Sequence, residues 1–180
     1  MRPSSTHPHR FSRRALSGLL AAAAVAGTTL LSAAPASALS WRCASQSRSI
    51  DTANYSGPWP DNWSFTVKNC AARSGSYAYA KATIKWDGPS VANDDTFDDA
   101  KYRLVLKKSV SGTDPTVTAK TYYFDEMPED YPDNDGTYST GTIKYKVNST
   151  KAYADGTLYL DWRRCCGGFK SWGWAASPKV

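Results

Sequence analysis

The chain has 180 residues, with 22 Lys and Arg against 16 Asp and Glu and 41% hydrophobic residues, a composition that describes a globular protein and excludes a disordered or fibrous one. Four of the basic residues, Arg2, Arg10, Arg13 and Arg14, and both histidines, His7 and His9, lie ahead of residue 39, so residues 39–180 carry 18 bases against 16 acids and no histidine. This excludes Ser-His-Asp and Cys-His catalysis, a His general base and any His-liganded zinc, and the near balance of charge removes the main support for nucleic-acid binding.

Residues 1–38 read as a cleaved secretion signal. The four arginines precede an apolar run from Leu16 to Leu31, and Ala36-Ser37-Ala38 forms an A-x-A cleavage site. The run is rich in Ala, interrupted by Gly18, Gly27, Thr28 and Thr29, and shorter than the ~20 apolar residues of a membrane span. Arg13-Arg14 also fits a twin-arginine signal, although an ordinary secretory signal is the commoner explanation. The expectation is a secreted, extracellular protein with no membrane span after cleavage. Residues 39–180 then form one domain, long enough for a real core.

That domain reads as strands throughout. Asn62 to Cys70 alternates with Trp63, Phe65 and Val67 on one side. Ser76 to Asp87 sets Ala78, Ala80, Ala82, Ile84 and Trp86 against Tyr77, Tyr79, Lys81, Thr83 and Lys85. Lys101 to Val110 turns Tyr102, Leu104 and Leu106 inward. Val117 to Phe124 is β-branched and aromatic, with no clear inward face. Thr140 to Val147 turns Ile143, Tyr145 and Val147 inward, Gly156 to Arg164 does so with Leu158, Leu160 and Trp162, and Phe169 to Ala175 forms a last strand. Gly, Pro and Asp turns separate about eight strands, counting a ragged pair before Pro58. The predicted fold is all-β, an antiparallel β-sandwich or jelly-roll-like domain stapled by two disulfides.

The four cysteines are Cys43, Cys70, Cys165 and Cys166. Adjacent cysteines rarely pair with each other, and in an oxidising compartment all four are expected to be bridged. With Trp41 and Cys43 taken as inward, alternation puts Cys43 and Cys166 on the core side and Cys70 and Cys165 on the other. The expected bridges are therefore Cys43–Cys166 and Cys70–Cys165.

Two features are candidates for function. Acids concentrate in Asp87 to Ala100 and in Asp125 to Gly136, loops that a meander places at one end. Asp94, Asp95, Asp133 and Asp135 are the candidate calcium ligands, since a hard cation takes carboxylate oxygens. Asp133-Asn134-Asp135-Gly136 nevertheless misses the EF-hand frame, because Tyr131 and Thr142 occupy the first and last ligand places. No other cofactor is expected.

The second feature is aromatic. Residues 39–180 hold all seven Trp and all eleven Tyr, more than one small core needs. Tyr77, Tyr79, Lys81 and Lys85 on one strand face, together with Trp172 and Trp174, are the candidate ligand-binding residues, suited to stacking on sugar rings or meeting an anionic polymer. A covered sheet face or cross-strand pairing is the structural alternative. The leading expectation is a non-enzymatic protein that binds a polysaccharide or cell-wall polymer. A protease inhibitor or protein toxin acting through the loop Met127 to Asp135 is the second, and a carboxylate-dependent glycoside hydrolase the third.

Overall fold

Nine strands are present among the described residues: β1 (Arg42–Ile50), β2 (Trp63–Ser74), β3 (Tyr77–Asp87), β4 (Phe97–Lys108), β5 (Thr116–Tyr123), β6 (Asp135–Ser139), β7 (Ile143–Lys146), β8 (Ala152–Trp162) and β9 (Lys170–Gly173). The computed structural model describes residues 38–51, 56, 62–89, 96–124, 134–163 and 165–180, all within the compact unit Ser37–Val180. No described helix is long and apolar enough to cross a membrane.

The strands form two antiparallel sheets. In the first the order is β1-β2-β3-β6, with β7 also paired to β3, and in the second it is β5-β4-β8-β9. Period-two alternation decides which side of each strand is buried. Trp63, Phe65 and Val67 of β2, Ala78 to Trp86 of β3, Tyr102, Leu104 and Leu106 of β4, and Leu158, Leu160 and Trp162 of β8 join one core cluster. Phe97 links the sheets at one end of that core, with its ring 5.0 Å from Trp63 and 4.6 Å from Trp162. Ring pairs at such spacings add ~0.5–1.5 kcal/mol beyond the area they bury.

A polar chain also crosses the core. The Tyr102 hydroxyl donates to Asn69 Oδ1 (2.8 Å), Asn69 Nδ2 donates to the Ala175 carbonyl (3.0 Å), and the Ala175 N–H donates to Gln46 Oε1 (2.8 Å). Asn69 and Tyr102 are fully buried, and burial raises the Tyr102 pKa far above its ordinary value. The C-terminal segment thereby lies along β8, bonded at Trp174 to Gly156, at Ser177 to Ala154 and at Val180 to Ala152. It is held to β1 by Gln46 and by Arg42, whose Nη1 reaches the Lys179 carbonyl.

The cysteine pairing differs from the expected one. Cys43 is bonded to Cys70, its direct cross-strand partner, with Cα atoms 4.1 Å apart, which removes both expected partners of Cys165 and Cys166. Two assumptions failed. Cys43 points to the outer side of its sheet, because its register partner Cys70 is outward, so Trp41 is not an inward marker. Strand alternation also stops at Trp162, where β8 ends. Cys166, Gly167 and Gly168 then adopt positive φ, a turn to which period two does not apply. The Cys43–Cys70 bridge closes a loop of sequence separation 27, for which chain entropy gives about 3–4 kcal/mol.

Tyr145 departs from its expected place as well. Ile143 and Val147 are buried, but Tyr145 is 41% exposed, because β7 forms the sheet rim, where its ring meets Lys108.

Gly156 of β8 lies against the Tyr102 ring, and a Cβ there would overlap the ring and its hydroxyl. Gly156→Ala is expected to destabilise the domain by about 3 kcal/mol, through overpacking and loss of the buried hydrogen bond. Gly173→Ala, with open space around it and no positive φ, is expected to stay within about 0.5 kcal/mol. Urea unfolding of the two variants checks the contrast.

Candidate ligand-binding surfaces

The outer face of the first sheet gathers what the sequence placed on a single strand. Tyr77 is 42% exposed, Lys85 is exposed, and Tyr79 and Lys81 are half-buried. Strand register adds neighbours that spacing along the chain does not reveal. Lys144 and Lys146 of β7 lie opposite Tyr79 and Tyr77, Lys68 of β2 lies opposite Thr83, and Lys81 Nζ is 4.4 Å from the centre of the Trp41 ring. Lys144 in turn lies 6.0 Å from the Tyr77 ring.

Hydroxyls fill much of the same face. Ser45 pairs with Lys68 and Ser47 with Thr66, whose hydroxyl oxygens are 2.7 Å apart. Thr137 and Ser139 of β6 lie beside Lys85 and Thr83. The acids of this face, Asp87 and Asp135, stand opposite one another at its end, leaving the lysines without a carboxylate in their own rows. Rings, ammonium groups and hydroxyls in flat ranks about 4.8 Å apart across strands suit a long polar or anionic chain better than a small molecule.

Trp172 and Trp174 do not join this surface. Trp174 is 5% exposed and belongs to the core, under the Arg48 guanidinium. Trp172 is partly buried and packs against the same core. Register explains this, since Trp172 lies opposite the inward Leu158. Trp174 is therefore a core position rather than a ligand-binding one, and Trp172 lies on the inward side of β9, away from the Tyr77 face.

Asp94, Asp95 and Asp133, like most of Met127 to Asp135, lie outside the described residues. Among those described, no group of three or more His, Cys, Asp and Glu could hold a metal ion. The roots of the two acidic loops do meet. Asp87 pairs with Asp135, the Gly88 N–H donates to the Asn134 carbonyl, and Asn134 Nδ2 donates to the Pro89 carbonyl. On the second sheet Asp99 and Asp161 are also cross-strand partners, close to the ion pair of Arg163 with Asp98 at 2.9 Å.

A second aromatic surface escaped the sequence reading. On the outer side of the second sheet, Tyr123, Lys101 and Tyr159 form one row across β5, β4 and β8. Lys101 Nζ lies 5.4 Å from the Tyr123 ring centre and 3.2 Å from that of Phe169, and Phe169 meets Tyr159 edge-on at 6.3 Å. Tyr123 is 59% and Phe169 37% exposed. The only sequence signal was the aromatic end of Val117 to Phe124, where Tyr122 and Phe124 proved inward and Tyr123 outward. Lys101 already occupies the space between these rings, so the group is smaller and more self-contained than the first face.

At the opposite end from the acidic loops, Asp114 and Tyr153 form a local pair. Asp114 accepts the Val110 N–H and the Tyr153 hydroxyl, which together hold its carboxyl below the usual range. The Tyr153 hydroxyl is pushed up to about 12 by burial first and then by its bond to Asp114. The bond ties the Asp114 loop to Tyr153 at the start of β8, and both groups suit structure rather than proton transfer near neutral pH.

Comparison of the chain with protein-family models, curated proteins and solved structures found no match.

The two kinds of aromatic position make an expected contrast. Trp174→Ala is expected to cost about 3–5 kcal/mol as a core truncation, whereas Tyr123→Ala is expected to stay near 0.5 kcal/mol. Thermal and denaturant unfolding of both variants measure it.

Proposed function

We propose that this chain is a secreted, non-enzymatic β-sandwich protein that binds a polysaccharide or cell-wall polymer along the outer face of its first sheet. The observation that carries this reading is the shared outward face of Trp41, Tyr77, Tyr79, Lys68, Lys81, Lys85, Lys144 and Lys146, with its acids confined to one end. Rings offer apolar stacking area, lysines offer a salt-sensitive attraction for a negative chain, and Ser and Thr hydroxyls serve as hydrogen-bond donors and acceptors. The lack of histidine in residues 39–180 favours binding over catalysis. Export through the signal-like residues 1–38 accords with the cysteine bridging, since disulfides persist in oxidising compartments.

Tyr77→Ala combined with Tyr79→Ala is expected to lower retention on an insoluble anionic polysaccharide while costing about 1–2 kcal/mol of stability, the exposed Tyr77 contributing little and the half-buried Tyr79 most of it. Raised salt is expected to weaken wild-type retention. Retention unchanged in a folded double variant removes this face as the binding surface.

A further inference from the structure

We propose that a cationic cleft at the end of the domain opposite the acidic loops is an oxoanion site that takes a phosphate group. The cleft has a volume of about 470 Å³ and is lined by Ser40, Arg42, Arg73, Lys151, Lys179 and Val180. None of these residues belongs to the lysine-rich sheet face, so the inference stands independently of the function proposed above.

Backbone bonds bring these cations together. Ala152 and Val180 exchange two antiparallel hydrogen bonds, which set Lys179 opposite Tyr153 and Lys151 just past Val180, so that both line the one cleft. Arg42 Nη1 reaches the Lys179 carbonyl at 3.4 Å. The Arg73 guanidinium is fixed from behind by the carbonyls of Gly75, Thr150 and Asn148, which use one hydrogen on each of its nitrogens. Its two remaining N–H donors, most of those on Arg42, and the ammonium groups of Lys151 and Lys179 stay available.

The acids around the cleft do not neutralise it. Asp114, a carboxylate that interacts with Lys179, is already engaged by the Val110 N–H and the Tyr153 hydroxyl. Asp155 is paired with Lys107 at 2.7 Å. A carboxylate at Val180 would offset one of the cleft's positive charges and leave the rest. Like charges held in one cleft repel, and folding keeps them there, so an anion that binds between them is strongly favoured. Guanidinium forks match the geometry of phosphate oxygens, while ammonium groups act as point charges. A tetrahedral phosphate group, dianionic as the free ion and singly charged but repeated along a phosphodiester chain, offers more acceptor oxygens to two guanidinium and two ammonium groups than a single carboxylate does.

The source of that phosphate is either the free ion or a phosphodiester in a polymer, and the test has an arm for each. Calorimetric titration of residues 39–180 uses inorganic phosphate in one arm and a poly(glycerol phosphate) in the other, with a uronic-acid polymer of matched charge as comparison. Phosphate is expected to bind and to raise the melting temperature with concentration, as a ligand of the folded state must. Lys151→Gln with Lys179→Gln removes two of the cleft's cations, one of them 6.0 Å from the Tyr153 ring, and is expected to weaken phosphate binding about tenfold or more while the unliganded domain stays folded. The Tyr77→Ala, Tyr79→Ala variant is expected to bind phosphate normally. Tighter binding of poly(glycerol phosphate) than of free phosphate, lost in the lysine variant, supports the site with a polymer source, and binding of inorganic phosphate alone supports it with the free ion. No phosphate binding at millimolar concentration, equal binding by the lysine variant, or preference for the uronic-acid polymer overturns the proposal.

Discussion

The buried chain from Tyr102 through Asn69 to Ala175 and Gln46 is the constraint on which the rest depends. It is the point where β4 of one sheet, β2 and β1 of the other, and the C-terminal segment are all joined by directional bonds. An apolar interface alone would fix the distance between sheets but not their alignment, since the hydrophobic effect has no direction. A buried amide left without one of these partners would carry a desolvation cost of ~1–3 kcal/mol, so the arrangement that satisfies Asn69 is selected over shifted ones. Gly156 is small because Tyr102 must lie across it to reach Asn69. The same bonds hold the terminal segment against β1, keep Trp174 in the core, and bring Lys179 to Arg42.

Charge is distributed along the domain as unevenly as it is balanced in total. The cross-strand pairs Asp87 with Asp135 and Asp99 with Asp161 place like charges side by side at one end, an arrangement that costs stability in a sheet. Arg42, Arg73, Lys151 and Lys179 do the same with opposite sign at the other end. The lysine-bearing face of the first sheet lies between them. A chain whose net charge is small thus has separate fields that orient an approaching anionic polymer, a property invisible in its overall composition.

Much of the fold was legible because strand alternation reports burial directly. Ala78, Ala80, Ala82, Ile84 and Trp86 are all buried as their spacing requires, and Tyr77, Tyr79, Lys81 and Lys85 share the opposite side. What alternation cannot supply is register between strands, which is set by turns and by packing of distant segments. This is why Lys144, Lys146 and Trp41 were not assigned to the candidate face, and why the row of Tyr123, Lys101 and Tyr159 was missed. The cysteines show a second limit. Alternation has meaning only inside a strand, and Cys166 follows the end of β8 in a positive-φ turn. Trp172 and Trp174 lie apart from that face because Trp172 is opposite the inward Leu158 and the bonds from Trp174 and Ser177 to β8 fold that segment inward.

The account's central claim is that the outer face of the first sheet is the surface that meets a polymer. Amide chemical-shift mapping of isotopically labelled residues 39–180, titrated with soluble fragments of an anionic polysaccharide, tests it most directly. The account predicts that perturbed amides gather on β3 from Tyr77 to Lys85, on the adjoining Lys144 to Lys146, and around Trp41. Perturbations confined to the row of Tyr123, Lys101 and Tyr159, or to the acidic end of the domain, would contradict it.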